Sequence, residues 1–183
     1  MNLQSVLDRN GFLLRIATRL VLSSLAFVLG VRTVALRAET GVSEYDLKAA
    51  FLSKFVQFVK WPKGASGTIG ILGDDPFGGK LEKALRGRLK IMHSRQPEDL
   101  MNCQIVFVSK SERGSASAII ARLGNAHVLT VGDSDGFARQ GGVIGFTMAG
   151  DKVRFEINTA AERRAGLIID PTLKELATRI FGS

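Results

Sequence analysis

The 183-residue chain has one cysteine, Cys103, and two histidines, His93 and His127. A single thiol excludes any intramolecular disulfide. Two separated histidines, with no H-E-x-x-H and no cysteine pair, provide no recognisable metal-ligand set. Signatures for nucleophiles and phosphates are also missing: there is no G-x-S-x-G elbow, no S-x-x-K, no G-x-x-x-x-G-K-[ST] and no G-x-G-x-x-G turn. Asp133-Ser134-Asp135-Gly136 resembles part of a calcium loop, but the preceding ligand position would be Val131 and the twelfth falls on Gly142, where glutamate is required. No catalytic residue, metal or cofactor is expected. Cys103, at the mouth of the apolar run Ile105 to Val108, reads as a small buried hydrophobe.

What the chain does have is an export signal over residues 1–38. Arg9, Arg15 and Arg19 precede an apolar run from Leu20 to Val31, and the small residues Thr33, Ala35 and Ala38 lead to a polar start at Glu39. These are the three parts of a secretory signal peptide. The apolar run is shorter than the roughly 20 residues that cross a bilayer. Cleavage after Ala35 or Ala38 is expected, with an uncleaved signal anchor as the alternative. Residues 39–183 then form one domain working outside the cytoplasm, away from nucleotide pools and genomic DNA.

That placement changes the meaning of the charge. The whole chain carries +8 with a pI of about 10.1, but five arginines and one aspartate lie in residues 1–38, which leaves the remainder at +4. No nucleic-acid partner is expected. Much of the residual charge gathers in Lys80, Lys83, Arg86, Arg88 and Lys90, a solvated face or a surface for an acidic partner or anionic lipid.

Periodicity predicts a helix from Glu44 to Trp61, with Ser43 as its cap, acids in its first turn and Pro62 after its end. Phe51, Phe55, Phe58 and Val59 share a face that Tyr45, Leu52 and Val56 widen. Strands follow at Thr68–Leu72, Leu89–His93, Ile105–Ser109 and His127–Val131, alternating with helices at Lys80–Leu85, Pro97–Met101 and Glu112–Leu123. This alternation predicts an α/β fold with a mixed, mostly parallel sheet flanked by helices. Val143–Met148 and Lys152–Asn158 read as a hairpin around Ala149-Gly150-Asp151. Helices at Ala160–Ala165 and Pro171–Phe181 close the chain, the second capped by Asp170.

Open α/β sheets bind ligands at the carboxyl ends of their strands. The turn Gly73 to Gly79 lies at such an end, so Gly73, Asp74, Asp75 and Phe77, with Arg95, Phe137 and Asn158 closing the site, are the candidate ligand residues. The alternative is a turn shaped only by glycine and proline geometry. Tyr45, Phe58 and Trp61, at the rim of the wide helical stripe, are the candidate partner contacts.

Several segments, taken in order, carry a family resemblance. Glu44-Tyr45-Asp46-Leu47-Lys48-Ala49-Ala50-Phe51-Leu52, running through Phe55 and Phe58 to Trp61-Pro62, is followed by Gly70-Ile71-Leu72-Gly73-Asp74-Asp75-Pro76-Phe77-Gly78. Later come Cys103 to Ser109, Leu129-Thr130-Val131-Gly132-Asp133 with Phe137-Ala138, Gly141 to Ile144, Phe155 to Asn158 and Ala165-Gly166-Leu167. Together they resemble the YfiR-like family of bacterial periplasmic regulators across residues 44–180. The resemblance implies a domain without enzymatic activity that inhibits a membrane signalling protein, a diguanylate cyclase in the best-known system, by binding its periplasmic part. It also implies an outer-membrane lipoprotein that draws the regulator away, leaves room for a homodimer, and offers as an alternative a sensory module acting with a histidine kinase. Residues Leu129 to Asn158 contain no cysteine, so a stabilising disulfide there is absent.

Overall fold

A computed structural model describes residues 43–62 and 66–182; the expected export signal lies outside the described residues. Helix α1, Glu44–Phe58, starts where the sequence places it. Ser43 is extended, its hydroxyl accepts from the Asp46 amide, and the Asp46 carboxylate accepts from the Ser43 amide at 3.1 Å, a reciprocal capping box. Hydrogen bonds from Ser43 hold the Asp46 carboxyl below the usual carboxylate range.

The helix stops three residues earlier than expected. Val59 is already extended, and Val59–Lys60, strand β1, pairs antiparallel with Ile168–Ile169, a strand absent from the sequence reading. The apolar stripe continues past Phe58, so only this distant pairing marks the change of backbone.

The main sheet has seven strands: β2 (Thr68–Leu72), β3 (Lys90–Ser94), β4 (Ile105–Val108), β5 (Leu129–Gly132), β6 (Ile144–Ala149), β7 (Lys152–Asn158) and β9 (Arg179–Phe181), with β8 being Ile168–Ile169. Their order is β3-β2-β4-β5-β6-β7-β9. The first five are parallel, β6 and β7 form the expected antiparallel hairpin, and β9 lies parallel to β7. Central β4, Ile-Val-Phe-Val, is buried throughout, as a parallel strand covered on both faces must be.

Helix α1 covers one face. Leu52 and Phe55 are fully buried there, and Phe51 and Phe55 pack against Phe146 and Phe155 with ring centroids 5.4–6.1 Å apart. Helix α2 (Lys80–Leu85) shares that face through Leu81 and Leu85. The other face is covered by α3, Ala116–Leu123, which packs Ile119, Ile120 and Leu123 onto Val106, Val108 and Phe137. The expected helix from Glu112 is 3-10 from Lys110 to Ser115 before α3 begins.

Two short helices, α4 (Thr159–Arg164) and α5 (Pro171–Glu175), follow β7. The expected helix to Phe181 is therefore cut short. Thr178 donates both its amide and its hydroxyl to the Phe155 carbonyl, which tethers the tail and lays Arg179–Phe181 along β7.

Cys103 is buried beneath this second face, and burial pushes its thiol up from the ordinary value. A neutral, shielded thiol is a poor nucleophile. The folded protein should resist iodoacetamide and label fully once unfolded in guanidinium; mass spectrometry showing rapid labelling of the native chain would overturn this placement.

Candidate functional site

Loops leave the sheet at the carboxyl ends of β2, β4 and β5, the edge where α/β folds take ligands. After β2, Gly73 adopts φ +90° and its amide donates to the Ser94 carbonyl at 3.0 Å; a Cβ there would meet Ser111 Oγ at 2.5 Å, so only glycine fits. The Asp74 amide donates to Ser111 Oγ at 3.0 Å, and the Asp75 carboxylate accepts from the Phe77 amide at 2.8 Å. Arg95 donates to Asp74 at 2.6 Å, with both side chains largely in solvent. Gly73, Asp74, Asp75 and Arg95 thus form one rim.

Phe77 turns inward from that rim. It is fully buried, edge-to-face with Phe107 at 4.8 Å and with Tyr45 at 5.7 Å. Tyr45 comes from the first turn of α1, whose N-terminal half lies over the strand ends. The Tyr45 hydroxyl donates to Asp133 Oδ2 at 2.7 Å, directly after β5. Lys48, one turn along, pairs with the other Asp133 oxygen and with Glu44, and its ammonium sits 4.7 Å from the Tyr45 ring centroid. The side chains of Lys48 and Asp133 are only 4% and 1% exposed. Each charge therefore has a partner, and Asp133 has the phenol as well. The space a ligand would use between strand ends and α1 is filled by the protein's own Tyr45, Lys48, Phe77 and Asp133.

Two expected site residues lie elsewhere. Phe137 is fully buried in the second cluster, wedged so tightly that a Cβ on Gly132 or on Gly142 would come within 2.0 Å of its ring. Asn158 uses its amide on the Ala138 carbonyl and its oxygen as the cap of α4, each at 2.8 Å. Phe137 is spent on packing and Asn158 on these two hydrogen bonds.

The three candidate partner contacts are half-buried and spread from the first turn of α1 to the residue after β1. Trp61 donates its indole N–H to the Gln104 carbonyl at 3.0 Å, Phe58 rests against the main core, and Tyr45 is bound to Asp133. His93 is exposed on β3, and the His127 ring lies 2.9 Å from the Ala165 carbonyl. Among the described residues no group of three His, Cys, Asp or Glu is placed to hold a metal ion.

Sequence reasoning missed Lys48 as a site residue. The signal was present: Lys48 stands three, four and seven residues before Phe51, Leu52 and Phe55, so a lysine interrupts a face bound for the core and needs a buried anion.

A family model described as DUF4154, YfiR/HmsC-like, matches residues 45–178. The chain belongs to the YfiR/HmsC-like family. This makes it a relative of periplasmic regulators of diguanylate cyclase signalling, as the resemblance implied. No curated protein matches it. Solved structures agree on the fold alone. A conserved domain protein from Vibrio cholerae O1 biovar El Tor has a TM-score of 0.56, and the ABC domain from Streptococcus pneumoniae, solved in complex with L-Trp, has 0.54; each is 11% identical. The matches cover 75% and 73% of this chain and 60% of each of those chains. Among the described residues of this YfiR/HmsC-like chain, no helix is long and apolar enough to cross a membrane.

Burial, then the hydrogen bond to Asp133, raises the Tyr45 phenol well above its ordinary value of 10.0. Because the folded group holds its proton more tightly than the unfolded one, its contribution to stability is whole below the unfolded pKa and is lost as pH rises beyond it. Tyr45 is the only tyrosine, so absorbance at the phenolate band reads it alone. The folded protein should show no phenolate near pH 10 to 11 and gain it only together with unfolding. A simple titration at the free-phenol value, with the fold intact, would overturn the burial.

Proposed function

We propose that this domain is a non-catalytic periplasmic regulator that binds the extracytoplasmic part of an inner-membrane diguanylate cyclase and holds it inactive. The observation that carries the reading is the family match across almost the whole domain. Its physical companion is a strand-end crevice plugged by a hydrogen-bonded ion pair, an arrangement suited to a rigid binding body. A partner such as an outer-membrane lipoprotein would release the cyclase by competing for the regulator. Deleting the gene should raise cyclic-di-GMP and surface attachment, and restoring it should reverse both. Unchanged cyclic-di-GMP in the deletion would overturn the inhibitory reading.

A second reading, a small-ligand sensory domain acting with a histidine kinase, draws on the exposed rim of Gly73, Asp74, Asp75 and Arg95 at the carboxyl end of β2. Thermal-shift screening separates the two. A ligand at 100 times its Kd adds about 2.7 kcal/mol of stability, so a metabolite panel, with L-Trp included, should move the melting point only if the sensory reading holds.

A further inference from the structure

The eleven residues from Lys80 to Lys90 hold five bases and a single acid, Glu82, for a net charge of +4. Residues 39–183 carry +4 in total, so the rest of the domain is balanced and its whole excess sits here. Lys83, Arg86, Arg88 and Lys90 are exposed and make no ion pair among the described residues, while Lys80 reaches Asp46 only at 4.0 Å.

The same segment runs into the edge of the sheet. β3 pairs with β2 and with no other strand among the described residues. Its phase follows from its two ends: the Lys90 amide donates to the Gly67 carbonyl at 2.8 Å, and the Ser94 carbonyl accepts from the Gly73 amide at 3.0 Å. Backbone groups alternate sides along a strand. Lys90, Met92 and Ser94 therefore face β2, and Ile91 and His93 turn both N–H and C=O to the open edge. On the α2 side of that edge, a groove of about 300 Å³ is lined by Glu82, Gly87, Leu89, Ile91 and His93. A second, of about 150 Å³, shares Leu89 and continues past Val56, Leu85 and Arg88. On the opposite face Met92 is 43% exposed.

We propose that the open edge of β3 is the docking surface for an extended, acidic segment of a partner protein, which adds to the sheet as a further strand. Main-chain bonds to Ile91 and His93 supply the pairing. Alternate apolar side chains of the segment enter the groove over Leu89 and Ile91, the acids between them meet Lys90 on the other face, and acids flanking the paired stretch meet Arg86 and Arg88. Charge selects this occupant over the alternatives. A second copy of the chain would bring two +4 segments against each other, which cross-strand like charges disfavour. An anionic membrane would read the charge but leave the edge and the groove unused.

The surface adds to the regulator reading without depending on it. Cyclic-di-GMP levels test that reading, and binding in solution tests this one. The probe is a fluorescent peptide of alternating glutamate and valine, titrated by anisotropy into the purified protein, with an alternating lysine–valine peptide as control. The acidic peptide should bind and the basic one should not. Arg86→Glu with Arg88→Glu should weaken binding roughly tenfold or more, whereas the same charge change at Arg139 and Arg163 should leave it unchanged. His93→Pro removes an outward N–H without breaking the β2 ladder, so it should weaken binding with little loss of stability. If that variant fails to fold, a peptide N-methylated at alternate residues carries the same test from the ligand's side. Hydrogen exchange should slow at Ile91 and His93 when peptide is bound. Absence of saturable binding, indifference to both backbone blocks, or protection confined to another element would overturn the proposal. So would a concentration-dependent dimer abolished by His93→Pro, or binding only to phosphatidylglycerol vesicles.

Discussion

Asp133→Asn should cost the domain about 3–5 kcal/mol, the range for removing one partner of a buried ion pair. The substitution leaves the Lys48 ammonium without a buried counter-charge, and its remaining partner, Glu44, is half in solvent. The Tyr45 hydroxyl also trades a charged acceptor for a neutral one. Lys48→Ala should be nearly as damaging, because it strands the carboxylate instead. By contrast, Lys48→Met combined with Asp133→Asn removes both charges at similar volume and keeps an oxygen for the Tyr45 hydroxyl, so it should recover much of the loss, since no buried charge is left unpaired. Urea unfolding of the parent and the three variants checks this order of stabilities. Single variants within about 1 kcal/mol of the parent would mean that the pair is wetter than its burial indicates.

Phe55→Ala should cost about 3–5 kcal/mol, a large part of the stability of an ordinary domain. Phe55 is fully buried against Phe146 and Phe155, on the line where α1 meets the sheet. Phe58 lies one turn further, half-buried, with part of its ring against the core and part in solvent. Phe58→Ala should cost less than half as much and, if Phe58 is a partner contact, should weaken association. Equal thermal losses at the two positions with partner affinity intact would end the case for an interface at Phe58.

The sequence made the frame of the fold legible for physical reasons that also explain what stayed hidden. Ile105 to Val108 is a wholly apolar run, Leu129 to Val131 is apolar but for Thr130, and Val153, Phe155 and Ile157 alternate; such patterns declare buried and half-buried strands without tertiary information. β1, β8 and β9 are two or three residues each, too short to show a period, and exist only because distant backbone is there to pair with. The candidate site was half legible. Glycine and aspartate chemistry marked the turn after β2, and Arg95 does meet Asp74 across it. Phe137 and Asn158 looked available because nothing in a linear reading says that Gly132 and Gly142 clear space for a ring, or that an asparagine is already capping a helix. Lys48 and Asp133 were the reverse case, two ordinary charges whose importance appears only when burial brings them together.

Lys48 and Asp133 lie 85 positions apart, and Tyr45 and Asp133 lie 88 apart. This sets a schedule for folding. α1 is the first of the described elements to be synthesised, yet the carboxylate that fastens it arrives only after β5 has been made. Until then its phenylalanine stripe has neither sheet nor anchor, and long-range closure of this kind is slow. The nascent domain is therefore a greasy helix awaiting its lock until β5 arrives, the stage at which a chaperone has most to hold.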